Sequence, residues 1–334
     1  MTSIDQPPTE PSPVRAGVVG VGAMGANHAR VYSELRETDL VGVTDLDERQ
    51  ATRVAAEYGT DALAFDTLLE RCDVVTVAVP TQAHYDTVRA CIDAGVHVLV
   101  EKPIADTPSR GRELAERAAD AGVVLQVGHV ERFNPAVQAA ADVIADLDVI
   151  AIEAERLGPP VDRTATDGVV LDLMIHDVDV LHALCGSKPT SVTATGTADG
   201  QYATASMEFD DGVLATLTAS RITQKKVRRL TITARDCLVE VDYLDQTVLI
   251  HRESYPEYVT DDGQNHYRHE SVIERPRVAN REPLRCELES FVEAAENGGE
   301  PEVTAADGLA ALETVRAIDR LATASEESVE VSVR

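Results

Sequence analysis

Through the first third of the chain, short apolar runs alternate with amphipathic stretches. Residues 14–21 form an apolar run that ends among glycines and leads into a helical stretch over 26–36. Residues 40–44 repeat the apolar pattern, and 47–58 read as the next helix. Residues 72–79, CDVVTVAV, are apolar at nearly every position, as in a parallel strand covered on both faces. Pro80-Thr81 ends that strand, 84–94 form a helix closed by Gly95, and 96–100 are a strand again. A helix over 109–121 and a strand over 123–127 complete the set. Such βα alternation predicts an α/β fold, a Rossmann-type doubly wound parallel sheet over residues 14–126.

After residue 127 the period changes. Runs at 149–157, 190–198, 202–209, 213–220, 229–234, 237–241 and 247–251 are β-rich and separated by turns such as Asp210-Asp211-Gly212. They predict an α+β domain over 127–334, an open and mainly antiparallel sheet. Helices over 282–295 and 305–323 would lie on one face of it. The first 13 residues carry four prolines and no apolar stretch, so 1–13 is expected to be a disordered tail rather than a signal peptide.

Charge changes the picture of the surface. Acidic residues number 58 against 30 basic ones, a net charge of −28, and the lysines are only Lys102, Lys188, Lys225 and Lys226. Such a balance disfavours nucleic acid as a partner, because a phosphate backbone needs a basic footprint. Lysine depletion beyond mere acidity points to adaptation to salt, a halophilic surface whose folded state gains stability as molar KCl screens its self-repulsion. A melting temperature unmoved by KCl would leave an ordinary acidic protein with solvated helix faces. The cysteines 72, 91, 185, 237 and 286 form no C-x-x-C pair and suit reduced thiols in a cytoplasmic protein. No apolar stretch is long enough to predict a membrane span.

Chemistry concentrates at a few places. Gly20-Val21-Gly22-Ala23-Met24-Gly25 joins the first strand to the first helix, the arrangement of a dinucleotide fingerprint. Its phosphates would face the N–H groups of the helix start. Asp45 ends the second strand, at the spacing where an acid receives the adenosine ribose hydroxyls. A carboxylate there repels a 2′-phosphate, which favours NAD over NADP, although Arg49 is close by. The competing reading is a glycine turn with Asp45 as a helix cap. Lys102, in Glu101-Lys102-Pro103, follows a buried strand on the edge where α/β sheets hold ligands, and could hydrogen-bond a reacting hydroxyl. Otherwise it is a surface lysine at the sheet end. In residues 171–182, Asp172 and His176 are spaced i, i+4 on a helix, and Asp179 and His182 continue the stripe. His176 could take a proton from an alcohol with Asp172 orienting it, or both could be solvated helix residues. A zinc site is rejected, since no cysteine pair supports it and hydride transfer needs no metal.

Taken together, Gly20–Gly25, the V-P-T-Q-A-H of 79–84, Glu101-Lys102-Pro103 and the D-L-M-I-H-D-V-D of 172–179 resemble the glucose–fructose oxidoreductase, inositol dehydrogenase and MocA (Gfo/Idh/MocA) family. The resemblance spans nearly the whole chain from Val14. It implies an NAD-dependent oxidoreductase acting on a CH–OH group. It also implies that 127–334 serves substrate binding and oligomerisation, with its sheet buried between subunits of a homo-oligomer. Gly20, Gly22, Ala23, Met24, Gly25, Asp45, Pro80, Thr81, His84, Glu101 and Lys102 would hold the cofactor, with Glu101 and Lys102 at its nicotinamide end. Lys102, Asp172 and His176 would form the reaction site.

A narrower resemblance attaches to G-H-V-E-R-F-N-P at 128–135, which is similar to the UDP-N-acetylglucosamine 3-dehydrogenases of that family. It implies oxidation of a sugar 3-hydroxyl to a ketone, which a partner aminotransferase could then aminate. Arg132, Asn134, Arg156, Asp172 and His176 are the expected substrate residues. Arg163 and the Lys225-Lys226-Val227-Arg228-Arg229 cluster are further candidates for a diphosphate, because guanidinium forks suit phosphate. The cluster could equally be a solvated strand end. Two alternatives stay open: a free sugar or inositol dehydrogenase, and a non-catalytic NAD(P)-binding regulatory protein.

Overall fold

A computed structural model describes residues 12–160, 168–253, 257–261, 264–268 and 271–324. The described residues up to Gly128 form one unit together with Glu287–Ala305; a second unit holds His129–Cys286 and the described residues from Ala306 onward.

Five strands build the sheet of the first unit: β1 (Val14–Val19), β2 (Thr38–Thr44), β3 (Val74–Val77), β4 (His97–Glu101) and β5 (Leu125–Gly128). They are parallel and ordered β2-β1-β3-β4-β5, so the winding reverses between β1 and β3. Ligands of open α/β sheets sit outside the carboxyl ends at such a reversal. The helices are α1 (Ala23–Glu34), α2 (Glu48–Tyr58), α3 (Phe65–Arg71), α4 (Thr81–Asp93) and α5 (Pro108–Ala121). Local chemistry sets their ends: the Asp47 carboxylate accepts from the Arg49 and Gln50 N–H groups to cap α2, and Gly59 closes it in the left-handed region. Sequence periodicity misses α3, whose seven residues are too few to show a helical repeat, although Leu68 and Leu69 anchor it in the core. The segment Glu287–Ala305 returns to this sheet, where the Val303 carbonyl accepts from the Val127 N–H at 3.2 Å.

In the second unit an eight-stranded sheet uses β6 (Val149–Leu157), β7 (Ser191–Gly196), β8 (Tyr202–Glu208), β9 (Leu214–Ser220), β10 (Val227–Ala234), β11 (Cys237–Asp242), β12 (Thr247–Glu253) and β15 (Ser271–Glu274). Every neighbouring pair is antiparallel except β6 with β9. A separate hairpin pairs β13 (Glu257–Asp261) with β14 (Gln264–Arg268). Alternation decides the two faces: Ile152, Ala154, Ala205, Leu217, Leu230, Ile232, Val239 and Val241 are buried on one side, where α6 (Pro135–Ile144) and α7 (Ile175–Cys185) pack. Across the other face run Leu214, Leu238 and Ile273, joined register by register through Ala151, Thr233 and His251. The helices α8 (Pro283–Asn297) and α9 (Ala305–Thr323) end the described chain.

Candidate active site

The glycine turn of the first unit is built by sterics. Gly20 sits at φ 83°, and a Cβ there would stand 2.8 Å from the Ala78 carbonyl oxygen. A Cβ on Gly25 would collide with the carbonyl oxygen of Gly20, so α1 can start this close to β1 only with glycine. Gly22 is the N-cap of α1, has open space around it and supplies no side-chain cap, which leaves first-turn N–H groups facing outward with the helix dipole behind them. Asp45 is pinned beside the turn: its Oδ2 accepts from the Val21 N–H at 2.7 Å and its Oδ1 from the Asp47 N–H at 2.9 Å. A carboxylate has about four acceptor positions, so two remain for ribose hydroxyls.

A cavity of about 860 Å³ opens here, lined among others by Gly20, Gly22, Asp45, Leu46, Phe65 and Pro80. Ala23 and Met24 begin α1 and Thr81 begins α4 at its edge. Leu46 is fully exposed, an apolar side chain available to cover a base where an NADP site would place a cation. Glycine turn, helix start, acid and apolar wall together fit a nicotinamide dinucleotide.

Glu101 and Lys102 stand at the carboxyl end of β4. Glu101 Oε1 lies 2.9 Å from His28 Nε2, and the His28 side chain is fully buried. Burial alone would raise the Glu101 carboxyl; the hydrogen bond from His28 and the electrostatic influence of the neighbouring His28, Lys102 and His84 side chains outweigh it and hold the group below the ordinary carboxylate range. His84 lies beneath the rim, with Nδ1 2.8 Å from the Pro103 carbonyl oxygen and Nε2 2.9 Å from that of Val79. Burial lowers its pKa despite both carbonyls, so the ring is neutral and donates to one of them at a time. His84 therefore ties the Glu101-Lys102-Pro103 turn to the end of β3.

In the second unit Asp172 and His176 do not share an unbroken α-helix. Val170–Met174 form a single turn of π-helix, a rare element frequent at functional sites, and α7 starts only at Ile175. The Asp172 carboxylate pairs with Arg221 Nη2 at 2.5 Å. Arg221 is buried just past the end of β9, while Asp172 keeps 44% of its side chain exposed. The unbroken α-helix expected across Asp172 and His176 is thus replaced by a π-turn leading into α7, and Arg221 enters as a partner of Asp172 that sequence reasoning missed. Asp179 and His182 belong to the interior: burial raises Asp179 to about 7 and lowers His182 to about 4.

Two expected substrate residues have other roles. Arg156 is buried, with Nε and Nη2 on the two oxygens of Asp177 at 2.7 and 2.8 Å and Nη1 on Glu131 at 2.9 Å. Its guanidinium is committed to two carboxylates, so the expectation that it reads a diphosphate is replaced by a structural one. Asn134 is also buried; it caps α6 through the Ala136 N–H and donates to Glu131 and to the Tyr243 carbonyl. Arg132 keeps 13% of its side chain exposed and reaches Asp179 at 3.5 Å. Lys225, Lys226 and Arg229 are exposed, whereas Arg228 donates to the Leu157 carbonyl at 2.6 Å. Arg163 lies outside the described residues. Among the described residues no group of three His, Cys, Asp or Glu side chains is placed to hold a metal ion, and no helix is long and apolar enough to cross a membrane.

Residues 14–129 match the oxidoreductase family model with an NAD-binding Rossmann fold, and 150–237 match the GFO/IDH/MocA C-terminal domain. The chain is 35% identical to the UDP-N-acetylglucosamine 3-dehydrogenase of Acidithiobacillus ferrooxidans over 84% of its own length and 88% of that protein. A solved structure of that enzyme superposes with a TM-score of 0.85, covering 93% of this chain and 98% of the other. An inositol 2-dehydrogenase of Rhizobium meliloti is 30% identical over 90% and 94% of the two chains. GenD2 from gentamicin A biosynthesis, solved in complex with NAD, superposes at 25% identity with a TM-score of 0.79 over 97% and 98%. The chain belongs to the Gfo/Idh/MocA oxidoreductase family. It is an NAD-binding oxidoreductase.

Proposed function

We propose that the substrate is a UDP-N-acetyl sugar and that its 3-hydroxyl is oxidised to a ketone. The observation that carries this reading is the end-to-end likeness to the UDP-N-acetylglucosamine 3-dehydrogenase, at 35% identity. Bound NAD would supply the acceptor for the hydride leaving the carbinol carbon. Lys102, beyond β4, hydrogen-bonds the reacting hydroxyl and favours its alkoxide. His176 takes the hydroxyl proton, with Lys102 the alternative acceptor. Asp172, held by Arg221, accepts a hydrogen bond from a sugar hydroxyl. Arg132 and the exposed Lys225, Lys226 and Arg229 supply the cations that a diphosphate needs.

Reduction of NAD by UDP-N-acetylglucosamine, followed at 340 nm in low and in molar KCl, tests the substrate. We expect turnover with the nucleotide sugar and none with free N-acetylglucosamine or myo-inositol. Turnover of myo-inositol alone, unaffected by Lys225→Ala/Lys226→Ala, would instead select the polyol reading, which the inositol 2-dehydrogenase likeness supports. The salt series also reads the acidic surface, which should give higher stability in molar KCl. The sheet face bearing Leu214, Leu238 and Ile273 is proposed to pair with a second copy of the chain in a homo-oligomer in the cytoplasm. The 3-ketone product has the carbonyl that an aminotransferase would use.

A further inference from the structure

Beneath the rim of the first unit, four polar side chains stand in a row, three of them buried. Tyr32 OH lies 3.0 Å from Thr76 Oγ1, Thr76 Oγ1 lies 3.3 Å from His28 Nδ1, and His28 Nε2 lies 2.9 Å from Glu101 Oε1. The first three side chains are wholly buried. Only one arrangement of protons satisfies every member with a neutral imidazole and an ionised Glu101. Nε2–H donates to the carboxylate, Nδ1 accepts from the Thr76 hydroxyl, and Thr76 accepts from Tyr32. The donors then all point towards Glu101. Its other side is also shaped: a Cβ on Gly128 would stand 3.3 Å from Oε2 and 3.1 Å from the Glu101 Cα, so glycine at the end of β5 keeps that seat open.

We propose that His28 is a positioning residue that fixes Glu101 as an oriented carboxylate at the nicotinamide end of the dinucleotide site, with Thr76 and Tyr32 setting the tautomer of its ring. The reasoning rests on the NAD reading and not on the identity of the sugar. Glu101 closes the carboxyl end of β4, outside which a Rossmann sheet holds its ligand. The nicotinamide ring is positively charged in NAD and neutral in NADH, so a carboxylate there favours the oxidised form. The titratable groups facing Glu101 are His28 from α1, Lys102 from its own turn and His84 from α4; Tyr32 ends the row, with Glu287 and Cys72 in its field. His28 hydrogen-bonds the carboxylate directly. Without it, burial acts with less opposition and raises the Glu101 pKa. The carboxyl then becomes protonated as pH falls through the raised value, and the preference for the cationic ring is lost below it.

The test is NAD and NADH affinity by fluorescence titration, without sugar, from pH 8 to pH 6. In the unaltered protein NAD affinity should vary by less than about threefold over this range. In His28→Leu it should weaken by about tenfold or more towards pH 6, with NADH affinity much less changed. His28→Gln, whose amide nitrogen reaches the Nε2 position, should restore a flat profile. Thr76→Val should give the same pH dependence in milder form. In a Glu101→Gln background His28→Leu should add nothing, because the group it acts on is gone. A flat NAD profile in His28→Leu, equal losses of NAD and NADH, or an undiminished effect in the Glu101→Gln background would overturn the proposal. If His28→Leu fails to fold, the Thr76→Val profile decides: no pH dependence there rejects it. Failure of NAD to bind the unaltered protein would reject the cofactor site itself, a separate result.

Discussion

Replacing His176 with alanine is expected to lower kcat for sugar oxidation by roughly 10²–10⁴-fold, the range for loss of a positioned general base. NAD affinity should be unchanged, because the glycine turn, Asp45 and Glu101 are the residues expected to hold the dinucleotide. Lys102→Ala should also lower kcat by roughly 10²-fold or more, through loss of the cation that favours the alkoxide. Steady-state kinetics with saturating NAD separate the roles. A loss in kcat and kcat/KM together assigns a residue to the transition state; a rise in KM alone assigns it to uniform binding. The pH dependence of kcat identifies the base: the variant lacking it loses the acidic limb, and added imidazole should restore part of the activity of His176→Ala. Full activity in both variants would reject the mechanism.

Much of the first unit was legible because its signals are local. Gly20 and Gly25 are demanded by backbone sterics within one turn, Gly22 leaves the start of α1 open for a phosphate, and Asp45 is set by the length of one βαβ unit, so the sequence states them directly. Strands such as β3 and β5 read correctly because burial on both faces leaves runs that are mostly apolar, with Thr76 and Gln126 as buried polar exceptions. What escaped was either short or distant. The α3 helix is too brief for a period to register, and β15 and the β13–β14 hairpin carry no strong alternation. Arg221 lies 49 residues from Asp172, and His28 lies 73 from Glu101. Only folding brings such pairs together. A histidine in α1 looks like any helical polar residue until the parallel sheet sets β4 beside β3. The π-turn was hidden for another reason: a one-residue bulge leaves the apolar periodicity of 171–182 nearly intact while moving Asp172 against Arg221.

Arg156 was misread because charge alone does not reveal its surroundings, and its removal should produce the largest stability loss in the second unit. It is 4% exposed, it bridges Asp177 and Glu131, and it stacks over the Tyr243 ring at 5.6 Å. Burial pushes the Asp177 carboxyl up even beside this guanidinium, so the cluster is held together against a large desolvation penalty. Arg156→Ala leaves two carboxylates without their shared cation and should lower unfolding free energy by about 3–5 kcal/mol. Arg156→Lys should fall between, because an ammonium cannot span both oxygens of Asp177 and reach Glu131 as the planar fork does. Replacing Arg156, Asp177 and Glu131 together by Met, Leu and Met should recover most of the loss, since apolar residues carry no desolvation penalty. Urea unfolding at fixed KCl reads all three. Asp177 directly follows His176 at the start of α7, so Arg156→Ala should also lower kcat in protein that is still folded. A variant with unaltered stability would show the cluster to be solvated, and Arg156 would return as a candidate for binding phosphate.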